Sequence, residues 1–144
     1  MKNNMKAEFL SLSQNECLAR MIASAFAAQF DPTVEELTDI RTAVSEAVTN
    51  AIIHGYMDRQ GTVYMEFYRD GSEFTVVIRD TGRGIVNVEL ARQPFYTTMP
   101  EMERSGMGFA VMEAFMDSVE VESAPDHGTT VTMKKRIAAV SADE

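Results

Sequence analysis

At Gly61 the spacing of apolar residues in this chain changes from that of a helix to that of a strand, and this switch constrains the fold more than any other feature. Before it lie two helical runs. Leu18, Met21, Ile22, Ala25 and Phe26 recur at helical spacing until Asp31-Pro32 stops them, and Leu37, Ile40, Val44, Val48 and Ala51 fall in one helical sector. After it, GTVYMEFYRD and SEFTVVIRD are β-branched and aromatic runs that meet at Asp70-Gly71, which is a hairpin signal. SVEVES and TTVTMKKR, joined through Pro125-Asp126-His127-Gly128, form another. Lys6 to Ser13 reads as an opening strand, and Phe109 to Met116 as a short helix. The order strand, helix, helix, hairpin, loop, helix, hairpin predicts an α+β fold: a two-layer α/β sandwich with helices on one face of a largely antiparallel, mixed sheet.

Both long helices carry start signals. Ser13-Gln14-Asn15-Glu16 and Thr33-Val34-Glu35-Glu36 each have the pattern of a capping box, and the second helix is expected to run to about His54 with Gly55 as its C-cap. The first helix has an unusual polar side, because Arg20 is its one charged residue between Cys17 and Phe30. Such a helix is buried on more than one side or invites association, and an arginine there needs a partner. The surface around Arg20 is therefore predicted to dock an acidic partner. Cys17 reads as a small core residue. About twenty residues after Gly84 include Pro94 and Pro100 and have weak periodicity, the pattern of a lid or of a disordered segment.

A length of 144 residues predicts a single domain, placed at residues 1–136, with a polar tail over 137–144. Lys and Arg number 13 against 22 Asp and Glu, and the resulting net charge of −9 argues against direct nucleic-acid binding. The lone cysteine offers no internal disulfide, and no Cys-His cluster resembles a zinc site. With no apolar leader and no run long enough to span a membrane, a cytoplasmic protein without membrane contact is expected.

Several short motifs each allow two readings. Asp80-Thr81-Gly82-Arg83-Gly84 is either a glycine-rich turn or a site where a carboxylate accepts from an exocyclic amine and glycines admit a flat base. Gly106-Met107-Gly108 ahead of a helix is either a hinge or a phosphate cradle. Glu46 and Asn50 share a helix face. They are either a solvated stripe or, given the small and apolar residues beside them, a proton acceptor and a hard oxygen ligand for Mg2+. His54 reads first as a partner of the helix dipole.

The order of these motifs carries a resemblance. Glu46-Ala-Val-Thr-Asn50-Ala-Ile-Ile-His54-Gly55, then Asp80 to Gly84, then Gly106 to Gly108, then Gly128-Thr-Thr130, resembles the N, G1 and G2 boxes and terminal threonine motif of the gyrase, Hsp90, histidine kinase and MutL ATPase superfamily. It covers residues from about 5 to 136. Within it, SEAVTNAIIHGY, FYTTMPEMERSGMGF and VMEAFMDSVEVES are similar to the anti-sigma factor serine kinases of Gram-positive bacteria.

The resemblance implies the Bergerat-type ATP-binding fold and a homodimer that binds ATP with Mg2+. It also implies a protein that inhibits an RNA polymerase sigma factor and phosphorylates a serine of an anti-anti-sigma antagonist. By matched position, Asp80 would take the adenine amino group and Thr130 would support the base pocket. Gly82 and Gly84 would admit the nucleotide, and Asn50 would hold Mg2+. Ser105, Gly106, Met107, Gly108 and Phe109 would wrap the phosphates, Glu46 would be the catalytic base, and residues 86–105 the lid. Thr81 departs mildly from the pattern, since many relatives carry an acidic or other polar residue there. Two alternatives are the ATP-binding domain of a histidine kinase, whose phosphoacceptor helix pair is not seen here, and an ATP-regulated binding protein that transfers nothing.

Overall fold

The computed structural model describes residues 1–93 and 108–137. In chain order the elements are β1 (Lys2–Leu10), α1 (Gln14–Ala27), α2 (Val34–Asn50), β2 (Thr62–Asp70), β3 (Glu73–Asp80), α3 (Val88–Ala91), α4 (Gly108–Phe115), β4 (Ser118–Ala124) and β5 (Gly128–Arg136). The strands form one sheet in the order β1-β2-β3-β5-β4, and every pairing is antiparallel.

Register accounts for the two layers. Met65 lies opposite Ile78, Phe67 opposite Val76, and Val76 and Ile78 in turn face Met133 and Val131, so these side chains share one face. That face is buried with Phe26, Phe30, Ile40, Val44 and Val48 of the helical layer. Phe26 stacks on Phe67 at 5.5 Å and the Phe30 ring meets Phe74 edge-on at 5.9 Å. Full burial of each such ring stabilises the fold by about 2 kcal/mol. Arg69 is buried on this face too. Its guanidinium lies 4.5 Å over the Phe30 ring and donates to the Gln29 carbonyl at 2.8 Å.

The expected sector of α2 is the one that packs inward, since Ile40, Val44, Val48 and Ala51 are all buried. Its cap also forms. The Glu36 amide donates to the Thr33 hydroxyl at 3.0 Å and the Thr33 amide to the Glu36 carboxylate at 2.9 Å.

Helix α1 differs from expectation in three ways. Its buried side is Ala19, Ala23, Phe26 and Ala27, whereas Leu18 and Met21 are 58% and 60% exposed. Alanines let the helix approach its neighbours closely, and that geometry outweighs the hydrophobicity of single residues. Cys17, expected in the core, is exposed. The Ser13 capping box is absent as well. Ser13 already has helical dihedrals (φ −60°, ψ −27°), and the Glu16 amide bonds to its carbonyl rather than its hydroxyl.

β1 begins at Lys2, well before the expected Lys6, because an edge strand made of KNNM can pair through its backbone without an apolar face. The end of α2 also differs. From Ala51 to Gly55 the helix widens into a π turn, and Gly55 is not left-handed as a glycine C-cap would be.

Candidate active site

β3 ends at Asp80, and the chain turns at once. The Asp80 side chain is buried, 5% exposed, and its Oδ1 accepts from the Gly82 amide at 2.9 Å. Burial pushes its pKa above the ordinary carboxylate range, an effect partly offset by backbone N–H groups of Gly82 and Thr129 and by the charge of Arg79.

The loop after Asp80 is locked to the π turn of α2. A helix ends with unsatisfied carbonyls, and here the loop satisfies two of them. The Arg83 amide donates to the Gly55 carbonyl at 2.9 Å, and Arg83 Nε donates to the His54 carbonyl at 2.7 Å. Tyr56 braces the other side: its hydroxyl accepts from the Thr81 amide at 2.8 Å and donates to the Thr62 carbonyl at 2.5 Å. No side chain fits between loop and turn. A Cβ on Gly55 would lie 2.8 Å from the Asp80 carboxylate; farther along the loop, one on Gly84, where φ is +75°, would lie 2.0 Å from the carbonyl oxygen of Ala124 at the end of β4.

A cavity of about 310 Å³ opens beside this junction, within the range of small-ligand sites. Its floor includes Asp80, Ile78 and Thr129, and its wall includes Asn50 and His54. Gly108 and Phe109, at the N-terminus of α4, close the opposite side, and Leu90 and Ala91 of α3 border it. Arg83 is the one Lys or Arg lining it among the described residues. The start of a short helix and a buried carboxylate thus face one largely apolar space.

Of the residues anticipated from sequence, Asn50, Asp80, Gly84, Gly108 and Phe109 line this cavity. Gly82 sits behind Asp80, against Gly55, rather than on the lining. Thr130 does not line it; the adjacent Thr129 does. The reason is strand alternation, since Thr129 shares the inward face of β5 with Val131 and Met133, while Thr130 pairs with Arg79 on the open face. Glu46 also lies off the cavity, in a neighbouring cleft lined by Arg20, Thr38, Arg41, Thr42 and Ser45. Ser105, Gly106, Met107 and most of the expected lid lie outside the described residues, as do residues 138–144 of the tail.

In that cleft Arg20 Nε lies 3.7 Å from the Glu16 carboxylate, one turn away on α1. A hydrogen bond with the Cys17 side chain and the charge of Glu16 raise the Arg20 pKa further, so its charge is permanent.

Residues 11–135 match the histidine kinase-like ATPase domain. The chain is 58% identical over 138 residues to an anti-sigma F factor of Clostridium perfringens (95% of this chain, 99% of the relative). It is 54% identical over 138 residues to that of Bacillus subtilis (95% and 94%). The chain belongs to the anti-sigma F factor family of histidine kinase-like ATPases. The fold of this family is shared more widely. The RsbU and RsbW domains of a Mycobacterium tuberculosis protein superpose with a TM-score of 0.68 at 19% identity, covering 94% of this chain and 32% of that one. A blue-light activated histidine kinase of Erythrobacter litoralis gives 0.51 at 23% identity, over 75% of this chain and 32% of that one.

Membership in an ATPase family implies ATP, and the cavity fits it. The cavity beside Asp80 has a largely apolar lining that suits a flat base, and the start of α4 at Gly108 and Phe109 borders it where an anion would sit. For Mg2+, no group of three or more His, Cys, Asp or Glu side chains suited to a metal occurs among the described residues. A metal here would take the Asn50 amide oxygen, with phosphate and water oxygens as its other ligands. Among the described residues, no helix is long and apolar enough to cross a membrane.

Sequence reasoning missed four residues of this site: Tyr56, Arg83, Ser123 and Thr129. All four fall inside motifs the sequence displays, but only for Thr129 does a local pattern point to the side chain itself, the alternation of Thr129, Val131 and Met133 along β5.

Proposed function

We propose that this chain is a cytoplasmic, homodimeric anti-sigma factor and serine kinase. It holds a sigma factor, sporulation sigma F by its relatives, inactive, and transfers the γ-phosphoryl group of Mg-ATP to a serine of an anti-anti-sigma antagonist. The observation that carries the reading is the convergence of buried Asp80, Asn50 and the α4 N-terminus on one cavity. Asp80 accepts from the adenine amino group, Asn50 contributes a metal ligand, and the Gly108 and Phe109 amides hold phosphate oxygens. Bound Mg2+ neutralises charge on the phosphates.

Glu46 stands one helical turn before Asn50, in the cleft that holds Arg20. A substrate serine approaching from that cleft therefore passes Glu46, which takes the hydroxyl proton as the oxygen bonds to phosphorus and the bond to the ADP oxygen breaks. Leu18 and Met21 are exposed on α1, the helix that also carries Arg20, so that helix offers protein partners both apolar surface and a fixed positive charge. The test is incubation with γ-labelled ATP and the candidate antagonist, with the labelled residue mapped. Label on a serine supports transfer; nucleotide binding without label leaves an ATP-regulated binding protein.

A further inference from the structure

The Ser123 hydroxyl lies behind the cavity floor and joins three segments. It accepts from the Ile85 amide at 2.7 Å, lies 3.0 Å from the Gly128 carbonyl oxygen, and lies 2.8 Å from Thr129 Oγ1. A serine hydroxyl has a single proton, so the direction of these bonds can be worked out. If Ser123 donates to Thr129, its contact with the Gly128 carbonyl is not a hydrogen bond. If Ser123 donates to the Gly128 carbonyl, all three contacts are satisfied, provided that Thr129 donates to Ser123. These contacts are partly shielded from water, which favours the arrangement that pairs them all.

That arrangement has a consequence at the floor. The Thr129 proton is turned away from the cavity, and its hydroxyl oxygen is left as an acceptor. Thr129 lies directly opposite Asp80 in the β3–β5 register, and both line the cavity. An ionised carboxylate is also an acceptor only. Two neighbouring acceptors suit a ligand edge that carries both hydrogens of an amino group, and they oppose a carbonyl.

We propose that Ser123 is a positioning residue for base selection: by taking the Thr129 proton it makes the floor present acceptors alone, so that the site takes a purine with an amino group at the 6-position and rejects one with a carbonyl there. This deepens the ATP reading above and rests on it. With Ser123 removed, the Thr129 hydroxyl rotates freely and can donate to a 6-carbonyl, which relaxes the discrimination.

The experiment is equilibrium binding of Mg-ATP and Mg-ITP, which differ at that position, to wild type, Ser123→Ala, Ser123→Thr and Thr129→Val, with thermal unfolding to establish that each variant is folded. The ATP-to-ITP affinity ratio should fall by about tenfold in Ser123→Ala. It should return in Ser123→Thr, which keeps the hydroxyl. In Thr129→Val the ratio should fall as well, since the acceptor itself is gone. A folded Ser123→Ala protein with the wild-type ratio, or one in which both affinities drop by the same factor, overturns the proposal, because the serine would then merely brace the loop. A wild-type ratio in Thr129→Val overturns it independently of how Ser123→Ala behaves. Wild type that binds neither nucleotide would instead sink the nucleotide reading on which it rests.

Discussion

A Cβ built on Gly82 would stand 2.0 Å from the Gly55 carbonyl oxygen, so the loop after β3 and the turn that ends α2 touch backbone to backbone. Neither side is a flexible side chain that could move aside. Gly82→Ala should therefore destabilise the fold by about 3 kcal/mol and weaken nucleotide binding, because separating the two segments displaces Asp80. Gly71→Ala is the control: its φ of +60° is strained for alanine, but nothing lies within 4 Å. That change should cost only about 1 kcal/mol. Urea unfolding of both variants checks the difference, and equal midpoints would contradict the close approach.

Asp80 supplies a prediction in pH. Its pKa is raised in the free protein, chiefly by burial, and the ionised form is the one that accepts from an amino group. Nucleotide binding should favour the ionised form and release a proton wherever the free protein holds one. Affinity should then fall as pH drops through the raised value, that is, beginning above the ordinary carboxylate range. Asp80→Asn should cost about 1 to 3 kcal/mol of binding at neutral pH and should abolish that pH step. Calorimetry across pH for both proteins reads this directly. A step that persists in Asp80→Asn belongs to another group.

How far the sequence reveals this site depends on how local the deciding physics is. The α2 sector and the Thr33 cap follow from residues three and four apart, and both appear in the structure where the pattern puts them. The β5 alternation was equally local, and following Val131 and Met133 back along the strand singles out Thr129 over Thr130. Other features are not local. Which side of α1 is buried depends on how closely its alanines let it approach the helical layer, and apolar count alone points to Leu18 and Met21, which are exposed. Arg83 lies within the Asp80 to Gly84 motif, but its bracing role is not legible there, because its partners are carbonyls 28 and 29 residues away. Glu46 and Asn50 share a helix face in sequence, yet they border different spaces, the Arg20 cleft and the main cavity.

The Arg20 cleft yields a prediction about partners. Arg20 keeps a permanent charge next to exposed Leu18 and Met21, and its nearby carboxylate, Glu16, contacts it at only 3.7 Å. An incoming carboxylate can compete for a fork that is so loosely held. Arg20→Ala should weaken binding of the sigma factor, the antagonist or both by about 2 kcal/mol, with nucleotide affinity unchanged, since Arg20 does not line the main cavity. Titration of each partner against the variant is the measurement. Wild-type affinity for both would remove Arg20 from either interface.

Glu46 and Asn50 allow chemistry to be separated from binding. Asn50 lines the nucleotide cavity, whereas Glu46 borders the cleft from which a protein substrate would approach. Glu46→Gln is nearly isosteric and removes no group from the nucleotide cavity, so ATP affinity should stay close to wild type. Its effect should appear in the transfer step, where a positioned base contributes about 10²- to 10⁴-fold. The lower end applies here, because phosphoryl transfer depends mostly on positioning and charge stabilisation. Asn50→Ala should behave differently, weakening Mg-ATP binding and transfer together, since it takes an oxygen ligand from the metal and a polar group from the cavity wall. Single-turnover transfer to the antagonist, measured beside nucleotide binding for both variants, distinguishes the two. If Glu46→Gln transfers at the normal rate, the proton is taken by another group or by water, and the cleft serves recognition alone.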